Sequence, residues 1–451
     1  MFKRKVYDQL LNWKNEYAGK TACLLEGARR VGKTTLAEEF AANEYSSYIK
    51  IDFSIATNEI KKAFDDIAKL DIFFLKLQTE TGVELVERKS VIIFDEVQLY
   101  PKARQAIKHL VKDGRYDYIE TGSLISIKKN VKDILIPSEE HKIKIYPMDY
   151  EEFMWATGKN PAITQKIYES GQALGDGLNR NQMRDFRIYM AVGGMPQAVE
   201  AYIQTNNLER VDRVKRDIIS LYQDDLRKID ATGLLSKMYM NVPSQLALGK
   251  KRYVISKATG KKKNAKDMER LYDLIDAGMV LPCFNVTKPG LALEQSADID
   301  CFKLYVADIG LFTTMIFNSS DETGQEIYKK LLSDKLSEDL GYMYENVVAQ
   351  MLVAAGRKLY YHTWPKENST HCYEIDFLIV LGQKLVPIEV KSSSTKRHES
   401  MDEFCHKYSQ VTGRRILLSQ RDVGHMDMLE LKPVYMLPNI LNEKVDAYGA
   451  R

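Results

Sequence analysis

The sequence predicts an α/β protein: a parallel sheet built around a phosphate-binding loop, then helices, then a second, smaller α/β region. Three observations carry that expectation. Near the start, Gly27-Ala28-Arg29-Arg30-Val31-Gly32-Lys33-Thr34-Thr35 fits the pattern G-x-x-x-x-G-K-[ST] without mismatch. Further on, the apolar run Ser90-Val91-Ile92-Ile93-Phe94 ends in Asp95-Glu96. Towards the other end, Glu374-Ile375-Asp376-Phe377-Leu378-Ile379-Val380 and Leu385-Val386-Pro387-Ile388-Glu389-Val390-Lys391 flank a turn centred on Gly382 and read as a hairpin.

Length and composition bound the rest. A chain of 451 residues can hold two to four domains. Its 65 basic and 62 acidic residues give a net charge of only +3, so a nucleic-acid surface has to come from local clustering. The five cysteines are dispersed with no C-x-x-C pair, which argues for a reducing compartment and against a disulfide framework or a structural zinc. No signal peptide and no membrane-spanning run are read, so the expected location is cytoplasmic, with no membrane partner.

In chain order, residues 1–20 read as an amphipathic helix, with Val6, Leu10, Leu11 and Trp13 at near-helical spacing. Residues 21–25 form a buried strand and 35–42 the helix after the loop. Gly27 and Gly32 lack a Cβ, so the loop can wrap closely around a polyphosphate, with backbone N–H groups and the helix N-terminus aimed at the anion. Lys33 is expected to reach the β- and γ-phosphates, and Thr34 to ligate Mg²⁺. Residues 47–53 read as a strand, 58–88 as helical, and 90–96 as the strand whose Asp95 holds the Mg²⁺ shell and whose Glu96 orients and deprotonates water. A helix follows to about residue 113. Residues 116–123 form another strand, with Thr121 and Ser123 both candidates to sense the γ-phosphate, and 142–147 form a fifth. Strands alternating with helices imply a parallel sheet with ligand at the strand C-terminal ends.

Residues 150–230 read as helical, a lid subdomain, interrupted by Gly193-Gly194-Met195-Pro196. After a helix at 235–246, Lys250, Lys251, Arg252, Lys257, Lys261, Lys262, Lys263 and Lys266 follow, and no acid interrupts residues 250–265. A strong amphipathic helix covers 268–277 and a strand 280–286. Helices followed by a strand hairpin suggest a winged helix, whose basic stretch Lys250 to Lys266 would contact DNA or RNA.

The last region carries its own chemistry. A helix over 340–355 includes Glu345. Residues two apart on a strand share a face, so Glu389 and Lys391 lie together and Asp376 approaches from the neighbouring strand. Two carboxylates can hold a divalent metal and a lysine can position water, the minimum for metal-assisted phosphodiester hydrolysis, with Glu345 completing the shell. The same residues can also form a structural ion pair. The neighbours His371-Cys372 and Cys405-His406 lack metal-ligand spacing and read as ordinary packing. The tail from residue 432 reads as a strand and a loose end.

The loop with its following Leu36, Asp95-Glu96-Val97-Gln98, Thr121-Gly122-Ser123, Tyr150-Glu151-Glu152-Phe153 and Gly193-Gly194-Met195-Pro196 together resemble a widespread prokaryotic AAA-type ATPase family. Lys303-Leu304-Tyr305-Val306-Ala307-Asp308-Ile309-Gly310-Leu311 and Tyr344-Glu345-Asn346 resemble its usual C-terminal partner, a domain of unknown function with a restriction-endonuclease-like core. The resemblance implies a P-loop NTPase sheet of strand order 5-1-4-3-2 (residues 1–150), a helical lid (151–232), a winged helix (233–312) and a PD-(D/E)xK-type domain (313–451). It further implies that Pro196 contacts adenine, that Arg29 senses phosphate or a neighbouring subunit of a homo-oligomer, and that Glu345, Asp376, Glu389 and Lys391 match the nuclease pattern. The expected function is Mg-dependent ATP hydrolysis coupled to nucleic-acid binding or processing. The alternative is an ATP-driven switch whose C-terminal fold recognises without cleaving.

Overall fold

The computed structural model describes residues 1–122, 138–249, 251–262, 264–317, 328–329, 331–333, 340–367, 369–392 and 398–443. It divides into two compact units, Met1–Tyr146 with Asp276–Gly278, and Pro147–Ile275 with Met279–Arg451.

The first unit is built on β1 (Ala22–Glu26), β2 (Ser47–Asp52), β3 (Ser90–Asp95), β4 (Asp117–Gly122) and β5 (Glu140–Lys144). All neighbours are parallel and the order is β2-β3-β4-β1-β5, the order the resemblance implies. Every residue of β1, β3 and β4 is buried. That explains why these strands read as apolar runs rather than alternating ones: helices cover both faces of a parallel sheet. Among those helices are Val6–Glu16, Lys33–Glu44 and Pro101–Asp113. The expected helical stretch 58–88 needs correction. It is two helices, Asn58–Ala63 and Leu70–Thr81, joined by the 3-10 turn Phe64–Asp66 and stopped by Gly82 in the left-handed region. The joint sits where Phe64 turns inward, its ring 5.1 Å from Phe73 and 5.8 Å from Phe94.

The second unit opens with helices Tyr150–Ala156, Pro161–Ser170, Asp176–Val192, Pro196–Thr205 and Leu208–Ile229. Asp149 and Glu152 form a reciprocal capping box at the first of these. The helix expected over 235–246 is two, Leu234–Met240 and Val242–Ala247, because Pro243 cannot continue the first. Helices Ile255–Thr259 and Ala265–Asp276 follow.

Two sheets complete this unit. One joins β6 (Val280–Val286), β7 (Ala297–Val306), β8 (Leu359–Pro365) and β9 (Cys372–Ile375) in the order β7-β6-β8-β9. Strands from either side of residue 312 therefore share a sheet. The other joins β10 (Phe377–Leu381), β11 (Lys384–Val390), β12 (Arg415–Ser419), β13 (Gly424–Met426) and β14 (Leu429–Pro433) in the order β10-β11-β12-β14-β13. The single strand expected over 374–380 is thus two strands in different sheets, and the chain changes sheet at Asp376. β9 pairs with β8 while β10 pairs with β11, and the Asp376 carboxylate secures the corner by accepting the Val390 N–H at 2.8 Å.

The Gly193-Gly194 break has a packing role. A Cβ on Gly194 would lie 2.0 Å from the Met148 carbonyl oxygen, and one on Gly193 would lie 2.5 Å from Asp308 Oδ1. Asp308 in turn accepts the Gly194 N–H at 2.6 Å and the Leu311 N–H at 2.8 Å. No helix of the described residues is long and apolar enough to cross a membrane.

Candidate functional site

The loop between β1 and the helix Lys33–Glu44 turns through two left-handed residues, Arg30 (φ 69°) and Gly32 (φ 93°). A Cβ on Gly27 would lie 2.2 Å from the Ile145 carbonyl oxygen, so no side chain fits there. Lys33 is buried and folded over the loop, its Nζ donating to the carbonyls of Gly27 (3.1 Å) and Ala28 (2.9 Å). Burial pulls its pKa down to about 8, opposed by Glu96 and Asp95. Ala28 and Val31 are buried, Arg29 is half-exposed, and Arg30 and Thr35 face solvent. Sequence reading missed Arg4. Its guanidinium is buried and donates to Val31 O at 3.1 Å and Tyr146 O at 2.7 Å, bracing the loop from behind. The only trace of this in the sequence is a basic N-terminus.

Three side chains converge beside the loop. Asp95, at the end of β3, accepts the Thr34 hydroxyl at 2.7 Å on Oδ1, and the Thr121 hydroxyl on the same oxygen. Glu96 follows with φ 54°, a backbone conformation that non-glycine residues hold only when the surroundings enforce it. Its N–H lies 3.4 Å from Thr121 Oγ1, and its carboxylate accepts the Gln98 amide. Thr121 is thus brought to the acids, whereas Ser123 lies outside the described residues. A buried carboxylate oxygen already gathering two hydroxyls is an all-oxygen donor set of the kind Mg²⁺ takes, so Thr34 and Asp95 fit that ion. Pro196 opens the helix Pro196–Thr205 in the second unit.

A second constellation lies in the second unit. Glu389, near the end of β11, is ion-paired with Lys391 at 2.6 Å, and its other oxygen, Oε2, is buried without a hydrogen-bond partner. Asp376 is buried at the corner between β9 and β10. Burial, reinforced by Glu345, pushes its pKa up to about 8. Glu345 comes from the helix Gly341–Ala354. Sequence reading did not foresee what joins these acids. Lys303 of β7, only 4% exposed, lies 2.5 Å from Glu374 Oε1 and 3.4 Å from Glu345 Oε2. Tyr305 donates to the same Glu345 oxygen at 3.1 Å. Burial would lower the Lys303 pKa, but Glu345 and Glu374 more than offset that and hold it above its ordinary value. Among the described residues no group of three acid, histidine or cysteine side chains is arranged to hold a metal ion.

In the basic stretch, Lys251 is committed, 3.5 Å from Glu374 Oε2 and donating to Cys372 O at 2.8 Å. Arg252, Lys257, Lys261, Lys262 and Lys266 are exposed, and Lys250 and Lys263 lie outside the described residues.

Residues 19–154 match the family model of an AAA domain. Two domains of unknown function match residues 183–322 (DUF8612) and 340–435 (DUF4143). An uncharacterized protein of Methanocaldococcus jannaschii is 26% identical over 246 residues, 50% of this chain and 49% of its own, so the chain spans about half the length of that relative. A Walker-type ATPase of Pyrococcus abyssi is similar at 16% identity, over 70% of this chain and 96% of its own, with a TM-score of 0.43. A signal-transduction ATPase with a tetratricopeptide-repeat sensor from Pyrococcus horikoshii is similar at 12% identity, over 78% of this chain and 48% of its own, with a TM-score of 0.29. The region that matches the AAA domain carries the phosphate-loop pattern Gly27 to Thr34 and the parallel sheet β2-β3-β4-β1-β5.

Proposed function

We propose that the first unit binds and hydrolyses ATP, and that nucleotide state sets the working state of the second. The observation that carries the hydrolytic reading is the convergence of Thr34, Asp95, Thr121 and Glu96 next to a loop gathered around Lys33. Lys33 releases its two loop carbonyls and turns to the β- and γ-phosphates. Thr34 and Asp95 would hold the nucleotide's Mg²⁺, which would offset the negative charge of the phosphates. Glu96 orients the attacking water and takes its proton, and Thr121 reports the γ-phosphate to both acids. Glu96→Gln is expected to retain ATP binding while turnover falls about 100-fold or more. Lys33→Ala is expected to lose binding. Undiminished turnover by Glu96→Gln removes Glu96 from this role.

For the second unit we infer the switch reading: a nuclease-like fold that recognises rather than cuts, its sheet β7-β6-β8-β9 drawing strands from both sides of residue 312. The ammonium of Lys303 among the acids supports it, because the charge that a metal would bring to the cluster is already supplied. The helices and β6–β7 hairpin ahead of it are consistent with a winged helix, whose exposed lysines suit a phosphate backbone. A metal-dependent nuclease assay of wild type against Asp376→Asn tests this. No cleavage is expected from either, and cleavage by wild type alone restores the processing enzyme.

A further inference from the structure

We propose that the outer edge of β10 is a docking site for an extended peptide of a partner protein, one that adds a strand there and carries an acidic side chain for Arg357. Neither the phosphate loop nor the clustered acids take part.

β10 ends its sheet: β11 pairs with one side of it, and among the described residues no strand pairs with the other. The hairpin decides which backbone groups that edge presents. Leu381-Gly382-Gln383-Lys384 turns in two residues, with Gly382 at φ 59°. Leu385 donates its N–H to Val411 O at 2.9 Å and accepts the Gly413 N–H at 2.8 Å, so both its backbone groups point away from β10. Val380, its partner across the pair, therefore turns its own N–H and C=O away from β11, and Leu378, two residues back, does the same. Open edges are usually blunted by a lysine, a proline or a bulge. Phe377-Leu378-Ile379-Val380-Leu381 has none of these and is apolar throughout.

A groove of about 610 Å³ runs along this edge. Leu378, Ile379 and Val380 all line it, although neighbouring side chains point to opposite faces, so the strand meets the groove edge-on. Leu293 and Tyr360, packed with Leu378, give it an apolar wall. Its rim is charged. Glu294 is already taken by Lys358 at 2.5 Å. No acid among the described residues answers Arg357, whose guanidinium reaches only the Val380 carbonyl at 3.5 Å, the far limit of a hydrogen bond. That contact defines the occupant. An incoming strand supplies an N–H for the Val380 carbonyl and a C=O for the Val380 N–H, which frees the guanidinium. A carboxylate on the same strand then pairs with the guanidinium in a stronger, charge-assisted bond. The peptide thus binds through main-chain hydrogen bonds to Leu378 and Val380, with apolar side chains against Leu293 and Tyr360 and an acid at the Val380 end. The β10 strand of a second copy of this chain has no acid to offer Arg357, so charge favours a different partner.

The test is selection from a displayed library of random peptides of about eight residues, the length of a strand, on the full-length, nucleotide-free protein. Peptides retained by wild type are expected to share an aspartate or glutamate. In fluorescence anisotropy, Arg357→Gln and Val380→Pro should each weaken their binding at least about tenfold. Proline at this position deletes only an outward N–H and leaves the β11 ladder whole, as edge positions allow. Replacing the peptide's acid by its amide should weaken binding to wild type but add nothing to the loss in Arg357→Gln. N-methylating alternate peptide amides should abolish binding for one set and spare it for the other. The proposal is overturned if wild type selects no peptide, if the selected peptides bind Arg357→Gln as tightly as wild type, or if the two N-methylated sets bind alike. It is also overturned if sedimentation shows a wild-type dimer that Val380→Pro dissociates, because a second copy then fills the edge. Should Val380→Pro be unfolded by circular dichroism, Arg357→Gln and the N-methyl series decide.

Discussion

Single residues set the behaviour of this chain where they are buried against their chemical preference. His362 on β8 is one. Its ring stacks on Trp364 at 5.0 Å, meets Phe404 and Tyr408 edge-on, and hydrogen-bonds Val286 O through Nδ1 at 2.5 Å. Burial pulls its pKa down to about 4, against the Val286 carbonyl and with help from Lys407. An unfolded histidine titrates near 6.5, so between these values the unfolded chain binds more protons. The His362 contribution is therefore fully present above about pH 6.5 and is lost as pH falls towards 4. From pH 7 to 5 this amounts to ~2 kcal/mol. Urea unfolding of the second unit at those two pH values should show that loss in wild type and much less of it in His362→Gln. Equal losses would exclude His362 as the source. Sequence alone revealed the residues of the phosphate loop and of the β3 terminus, because loop chemistry is local and needs glycines, a lysine and acids at fixed offsets. It revealed the role of neither Arg4 nor Lys303. Their partners lie 27 and 142 residues away in the first case, and 42 and 71 in the second, and no spacing rule reaches that far.

At the scale of elements, the strands of the first sheet were legible because full burial gives unbroken apolar runs with helices between. The break at Asp376 was not, since 374–380 reads as continuous strand whichever sheet each half joins. Nor did Gly193-Gly194 declare its use, because two glycines before a helix-opening proline look like any inter-helix turn. The structure shows a tight crossing instead. Gly194 gives its N–H to Asp308 at 2.6 Å and receives the Met148 N–H on its carbonyl at 2.7 Å, so its backbone is fixed on both sides. A methyl there would meet Met148 O at 2.0 Å with no room to retreat. Gly194→Ala should therefore cost at least ~2 kcal/mol of second-unit stability. Gly177→Ala is the control. That glycine lies within the helix Asp176–Val192 and has open space around it, so alanine should be neutral or stabilise by up to ~1 kcal/mol. Chemical denaturation of the two variants side by side measures the contrast. Similar behaviour of both would mean that the crossing relaxes easily.

At the scale of the whole molecule, each unit has a core of its own. One is packed around β2, β3 and the helices after them through Phe64, Phe73, Ile92 and Phe94, the other around β8, β10, β11 and β12 through Trp364, Leu378, Leu385 and Leu417. The three tryptophans divide between the units in a useful way. Trp13 is fully buried in the helix Val6–Glu16, with its indole N–H 3.3 Å from Thr21 Oγ1, while Trp155 and Trp364 belong to the second unit. In a Trp155→Phe, Trp364→Phe background, fluorescence reports the first unit alone. A ligand that binds only the folded state at 100 times its Kd adds ~2.7 kcal/mol to stability. MgATP at that level should raise the Trp13-detected unfolding midpoint accordingly, and should leave it unmoved when Lys33→Ala is added. Lys33 is buried and donates to two neutral carbonyls of its own loop, with Glu96 and Asp95 the nearby opposite charges, so a polyphosphate beside it would compensate the buried cation further. A midpoint indifferent to MgATP would show instead that the first unit does not bind it and that the loop's own carbonyls suffice for Lys33.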